Sequence, residues 1–208
     1  MDKIAKLTKL KEKALKDDSL PLKKGATNLV FGIGNPDAKV LFIGEGPGYY
    51  EDMKAEPFVG RAGALLDQML LLIKLPREDV YITNVVMYRP PENRDPTSQE
   101  IDAFKPYLDG IVEIIRPKII STLGRFSMAK FLPGVYISDV HGKVKTIDWK
   151  GQKITVIPMY HPAAALRNSQ IKTKLQADFE IIPGILESGG EEIETKDDKM
   201  DSEQIKLI

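Results

Sequence analysis

The side chains of this 208-residue chain that carry distinctive chemistry are few: two histidines (His141 and His161), no cysteine, and a carboxylate, Glu45, set among glycines in Gly44-Glu45-Gly46-Pro47-Gly48. A glycine loop of this kind can cradle a phosphate through its backbone N–H groups, or it can be a tight turn leaving a strand. It lacks the spacing of G-x-G-x-x-G and has no G-K-S/T, so a nucleotide-cofactor site does not follow from it. No G-x-S-x-G nucleophile elbow is present, and two histidines twenty residues apart make a poor metal set. Without cysteine there are no disulfides, no thiolate zinc sites and no thiolate-held iron clusters. Singly, the other polar or aromatic candidates have plain structural readings. A lone His161 is more often structural than catalytic, Asn84 can cap a loop, and Phe58, between Pro57 and Gly60, can belong to the core.

The elements that must hold these residues change that balance. Ile4, Leu7, Leu10, Ala14 and Leu15 recur at helical spacing, which predicts an amphipathic helix over 2–16. Short apolar runs at 40–43, 80–85, 119–123 and 154–157 read as buried strands, separated by helical patterns at about 62–74, 98–116 and 125–132 and followed by one at about 171–186. Ser98, with Glu100 and Ile101 close by, marks a helix start, and Arg116-Pro117 a stop. Residues 136–149 alternate and include Gly142, which predicts a hairpin there. Alternation of strand and helix argues for a parallel sheet covered on both faces. In such a sheet all strand ends share one edge, where open α/β folds place their ligands. Gly44–Gly48, Thr83-Asn84, Gly124-Arg125 and Tyr160-His161-Pro162 each follow or end a predicted strand, so residues more than 100 positions apart are expected to meet in one crevice.

Composition sets the outer bounds. An apolar fraction of 42% and a charged fraction of 29% are ordinary for a globular domain of this length. No apolar run approaches the roughly 20 residues of a membrane helix, and no signal peptide is readable, so a cytoplasmic protein is expected. The formal net charge is zero, but residues 187–208 carry eight acidic side chains against three lysines, a net −5. The rest of the chain is therefore +5, of which the first 24 residues contribute +4. A mildly basic body permits phosphate contact. Gly189-Gly190 followed by the acidic run predicts a domain over 1–186 and an acidic, disordered tail over 187–208.

Taken in order, the motifs are specific. Gly44–Gly48, Pro57-Phe58-Val59-Gly60-Arg61-Ala62-Gly63, Thr83-Asn84-Val85-Val86, Arg89-Pro90-Pro91, Arg116-Pro117-Lys118, Thr122-Leu123-Gly124 and Tyr160-His161-Pro162 stand in sequence from about residue 17 to 182. In this the chain resembles the iron–sulphur (family 4) uracil-DNA glycosylases. The resemblance implies a three-layer αβα fold with a central four-stranded parallel sheet, and hydrolysis of the N-glycosidic bond of uracil in single- or double-stranded DNA by a monomer. It implies that Phe58 stacks on an extruded uracil, that Asn84 bonds its Watson–Crick edge, and that His161 faces its O2. Gly44, Glu45 and Gly46 correspond to the first-loop residues that line the pocket and hold the water. Glu51 matches the residue that crowds uracil C5 against a thymine methyl, and Leu166 and Arg167 lie in the loop that enters the duplex. Two physical arguments agree with these roles. A base must leave the stack to be attacked, at a cost of a few kcal/mol, and an aromatic face such as Phe58 returns about 1–3 kcal/mol. A donor aimed at the departing, increasingly anionic uracil stabilises the transition state preferentially.

The chain also departs from that family. The four cluster cysteines match Asp17, Leu20, Tyr88 and Phe104, none of which offers a thiolate, so no metal and no cofactor are expected and a small apolar cluster is expected in their place. Gly46 replaces the usual alanine, and Ala163 and Ala165 replace a serine and a leucine of the intercalating loop. Two alternatives to an active uracil-DNA glycosylase follow. One is a non-catalytic relative that binds uracil-containing or single-stranded DNA; the other is a glycosylase with a different base preference or a covalent mode of action. The joint presence of Glu45, Phe58, Asn84 and His161 favours catalysis, since binding alone does not need all four.

Overall fold

In a computed structural model, residues 2–188 are described. The chain runs α1 (Lys3–Lys16), β1 (Ile33–Gly34), β2 (Val40–Gly44), α2 (Tyr49–Lys54), α3 (Arg61–Leu72), β3 (Tyr81–Asn84), α4 (Ser98–Ile115), β4 (Ile119–Leu123), α5 (Arg125–Phe131), α6 (Ile137–Val140), β5 (Lys145–Trp149), β6 (Gln152–Met159), α7 (Pro162–Ala165) and α8 (Ser169–Glu187). The four central strands lie parallel in the order β3-β2-β4-β6, matching the four apolar runs of the sequence.

The sheet is larger than the four parallel strands expected. It has six strands and is mixed, because β1 pairs antiparallel with β3 at one edge and β5 antiparallel with β6 at the other. The hairpin is also displaced from 136–149. Its two turn residues are Lys150 and Gly151, both left-handed (φ 51° and 77°), which is the geometry a two-residue hairpin prefers. The first part of the expected hairpin folds instead as the short helix α6.

Alternate residues of each central strand feed two cores. Leu41, Ile43, Ile120 and Val156 face a layer built from α1, α4 and α5, and Val40, Phe42, Ile119 and Ile157 face α3 and α8. Phe42 and Phe179 stack across the second interface at 5.5 Å, almost parallel. Three layers result because each sheet face is apolar and each helix has one apolar side to cover it. Leu20, Tyr88 and Phe104 are all buried in the first core, as expected, with the Tyr88 and Phe104 rings 6.1 Å apart. Tyr107 beside them donates its hydroxyl proton to Asp17 Oδ2. This packed corner offers no thiolate, so the residues present do not fit a thiolate-held cluster.

The last helix ends at Glu187, so the boundary expected at 186 falls inside its final turn. The remainder of the acidic segment lies outside the described residues. No helix among the described residues is long and apolar enough to cross a membrane.

Candidate active site

The carboxyl ends of the four parallel strands meet as the topology requires. Gly44 and Asn84 are direct neighbours in the β2–β3 register, and Gly124 N–H donates to Met159 O at 2.8 Å across the ends of β4 and β6. A cavity of about 440 Å³ opens at this edge, and Glu45, Gly46, Glu51, Phe58, Asn84 and His161 all line it. Arg167 is at its rim. Gly44 is not on the cavity wall but behind it: a Cβ there would sit 2.4 Å from Asn84 Oδ1 and 2.6 Å from the Phe58 ring, so only glycine lets both side chains take their places. Leu166 does not line the cavity; it stands 41% exposed at the end of α7.

Phe58 is held in a conformation it would not choose. Its φ of 52° is left-handed, a region costly for an aromatic residue unless the surroundings impose it. Three contacts do so. Glu51 Oε1 accepts from the N–H groups of Val59 (3.0 Å) and Gly60 (2.8 Å). Arg77 Nη2 donates to Pro57 O at 2.7 Å. On α3, Gly63 lies so close that a Cβ would fall 1.9 Å from Phe58 O. Glu51 thus has a second task beside facing the cavity: it fixes the turn that presents the ring.

Asn84 is the last residue of β3 and almost wholly buried, and its Oδ1 has no hydrogen-bond partner. A buried amide oxygen left so costs about 1–3 kcal/mol, which a ligand bearing a donor recovers.

His161 caps α7, with Ala163 N–H donating to its Nδ1 at 3.1 Å. Nδ1 is therefore the acceptor, and the ring proton is on Nε2. Burial pushes the His161 pKa down to about 4, against the opposing pull of the Glu51 charge, so at neutral pH the ring is an uncharged donor. Its ring lies 5.6 Å from that of Phe58, inclined by 29°. Gly124, at φ 97°, passes behind it; a Cβ there would come within 3.1 Å of His161 Cβ.

Glu45 has its pKa raised, first by burial and then by the charge of Asp95, while Arg125 acts in the opposite sense. Asp95 and Arg125 pair with each other, and Asp95 lines the cavity with Asn93 and Arg94. Arg125 follows β4 at the expected edge, but Asn93, Arg94 and Asp95 were not among the residues expected from sequence. These three sit on the turn after Arg89-Pro90-Pro91, where Glu92 and Asn93 are both left-handed, and nothing in their order marks them out. That turn is tied to α4 by Arg94, which grips Glu100 through two bonds (2.8 and 2.6 Å) and holds its pKa down to about 2. Glu100 also completes a capping box with Thr97. Among the described residues no group of three or more histidine or acidic side chains could hold a metal ion.

With this geometry in view, comparison with known proteins is informative. Residues 31–180 match the family model described as the uracil DNA glycosylase superfamily. The chain is 48% identical over 167 residues to a type-4 uracil-DNA glycosylase of Archaeoglobus fulgidus, covering 77% of this chain and 83% of that one. It is 45% identical over 182 residues to the enzyme so named in Sulfurisphaera tokodaii (85% and 83% covered). A third such protein, from Thermotoga maritima, is 45% identical over 157 residues (76% and 81% covered).

Proposed function

This chain belongs to the uracil DNA glycosylase superfamily, and from that premise we propose that it is a uracil-DNA glycosylase that works through its own side chains, without a metal or cluster. The observation that carries the proposal is the meeting of three groups in one cavity: the unpartnered buried amide of Asn84, the constrained ring of Phe58 and the neutral Nε2–H donor of His161.

In the proposed reaction a uracil leaves the helix stack and enters the cavity, stacking on Phe58. Asn84 accepts from uracil N3–H through Oδ1 and donates to O4 through its NH₂ group. Glu51, fixed by the Val59 and Gly60 N–H groups, lies against C5 and leaves no room for a methyl. As the bond from the sugar C1′ to uracil N1 breaks, its electron pair moves onto the base. His161 Nε2–H then donates to O2, where the charge gathers. A neutral imidazole suits this task, since it stabilises the oxyanion without having to lose a full charge. The sugar becomes cationic, and the ionised Glu45 stabilises it, orients the water whose oxygen bonds to C1′ and takes the proton that this water releases, while the departing uracil anion is neutralised by a proton from solvent. Arg167 is assigned to the DNA backbone and Leu166 to the gap left by the extruded base. The enzyme is proposed to act as a cytoplasmic monomer.

The test is incubation of the purified protein with single- and double-stranded oligonucleotides bearing one uracil, followed by alkali cleavage at abasic sites. Strand scission dependent on uracil is expected. Tight binding of uracil-containing DNA with no scission would instead favour a binding protein.

A further inference from the structure

The excision chemistry leaves unused an aromatic pair at the mouth of the cavity. Tyr49 and Tyr50, the first residues of α2, are 53% and 59% exposed, although Gly48 before them and Glu51 after them line the cavity. Their rings meet edge to face, 5.5 Å apart at 81°. The Arg89 guanidinium lies 5.3 Å from the Tyr49 ring centroid, and its Nε donates to Asn93 Oδ1 at 2.8 Å, so the cation is held over the ring. Asn93 and Pro90, beside Arg89, line the cavity too. The cluster is thus continuous with the wall around the proposed uracil site.

Nothing in the packing of α2 calls for two exposed phenol rings. The helix is anchored from its other side by Asp52, whose carboxylate accepts from the N–H groups of Thr27 and Asn28. Outward-facing rings beside a fixed guanidinium have one partner that suits both: a nucleotide, whose base stacks on a ring regardless of its identity and whose phosphate is attracted to the cation.

We propose that Tyr49, Tyr50 and Arg89 form a stacking subsite for an unpaired base adjacent to the extruded one, biasing the protein toward single-stranded DNA. The proposal rests on the DNA-glycosylase reading of the cavity. In a duplex the neighbouring base is already paired and stacked, so the rings gain little from it; in a single strand it is free to turn onto them.

The test uses a single strand that contains no uracil but has a tetrahydrofuran abasic analogue flanked on each side by 2-aminopurine, whose fluorescence falls on stacking. The same strand annealed to its complement serves as the duplex form. The wild-type protein is expected to quench the single strand. Tyr49→Ala and Tyr50→Ala should abolish the quench and raise Kd for the single strand about 5- to 150-fold, the range of one base–aromatic stack, with less than about a twofold change on the duplex. Tyr49→Phe should keep both quench and affinity, because it retains the ring. Unchanged affinity in both alanine variants, an equal loss on duplex and single strand, or failure of the phenylalanine variant would each overturn the subsite. Uracil excision by the wild-type protein is measured separately: its absence would overturn the glycosylase reading, while the quench still decides whether the rings take a base.

Discussion

At the scale of single residues, the cavity holds groups that are unsatisfied or off their ordinary poise. Asn84 is the sharpest case. Its amide can accept from uracil N3–H and donate to O4, whereas cytosine presents an acceptor at N3 and donors at N4. An ionised aspartate there can only accept, so Asn84→Asp is expected to lose most uracil excision. It should gain weak release of cytosine from unpaired or mispaired sites, measured with matched uracil and cytosine oligonucleotides; unchanged uracil excision would remove Asn84 from the recognition edge. Replacing the donor, as in His161→Ala, should slow excision by at least about 100-fold in single-turnover assays while binding of uracil-containing DNA changes little. Glu45 yields a prediction in pH. In the proposed reaction it acts ionised; burial and Asp95 raise its pKa, and Arg125 lowers it. Activity should therefore fall on the acid side as Glu45 takes up its proton. Asp95→Asn should move that limb to lower pH and Arg125→Gln to higher pH, as read from excision rates across the acid range. Shifts in the same direction for both would show that another group sets the limb.

At the scale of elements, what matters is how short, irregular pieces are made rigid. Helix α2 has only six residues and cannot hold its shape alone, yet it carries Glu51 and the two tyrosines. Asp52 supplies the missing support: it is buried and takes hydrogen bonds from Thr27 N–H (2.9 Å) and Asn28 N–H (2.9 Å). Asp52→Ala leaves these donors without their acceptor, and a loss of about 1–3 kcal/mol is expected in urea unfolding. Because α2 positions Glu51, and Glu51 positions Phe58, excision should fall as well under conditions where the variant is still folded. A variant of normal stability and activity would mean that the loop over 26–28 does not brace the site. The turn over 91–97 is braced in the same way by Arg94 and the Thr97–Glu100 capping box, which sets Asp95 at the cavity.

At the scale of the whole molecule, charge and core are each divided. The body of the chain is +5 and residues 187–208 are −5, the same sign as the phosphates of DNA. Ending the chain at residue 188 should tighten DNA binding at low salt, with the gain shrinking as salt is added, because screening weakens the interaction between charges. Weaker binding after truncation would assign the segment a supporting role. The corner where the family would hold its cluster is part of the continuous core against α1 and α4, filled by Leu20, Tyr88 and Phe104. Apolar contact contributes to stability there.

The sequence by itself determined the parallel core of the sheet and most of the cavity wall. Buried strands announce themselves as short apolar runs, and a parallel arrangement must bring their ends to one edge, so Glu45, Asn84 and His161 were readable as neighbours before any contact was known. Tertiary structure alone decided the rest. The edge strand β1 exists through pairing, and its two residues leave no periodicity to read, whereas β5 falls within the alternating segment 136–149. The left-handed backbone of Phe58 depends on Glu51, Arg77 and Gly63, which lie five to nineteen positions away. The proton on His161 Nε2 is assigned by one N–H at Ala163. The charges that tune Glu45 come from Asp95, on a turn 50 positions further along the chain, and Arg125, at the start of α5 80 positions further along. Local patterns carry burial and period, but the direction of a hydrogen bond and the distance between two charges are properties of the folded chain.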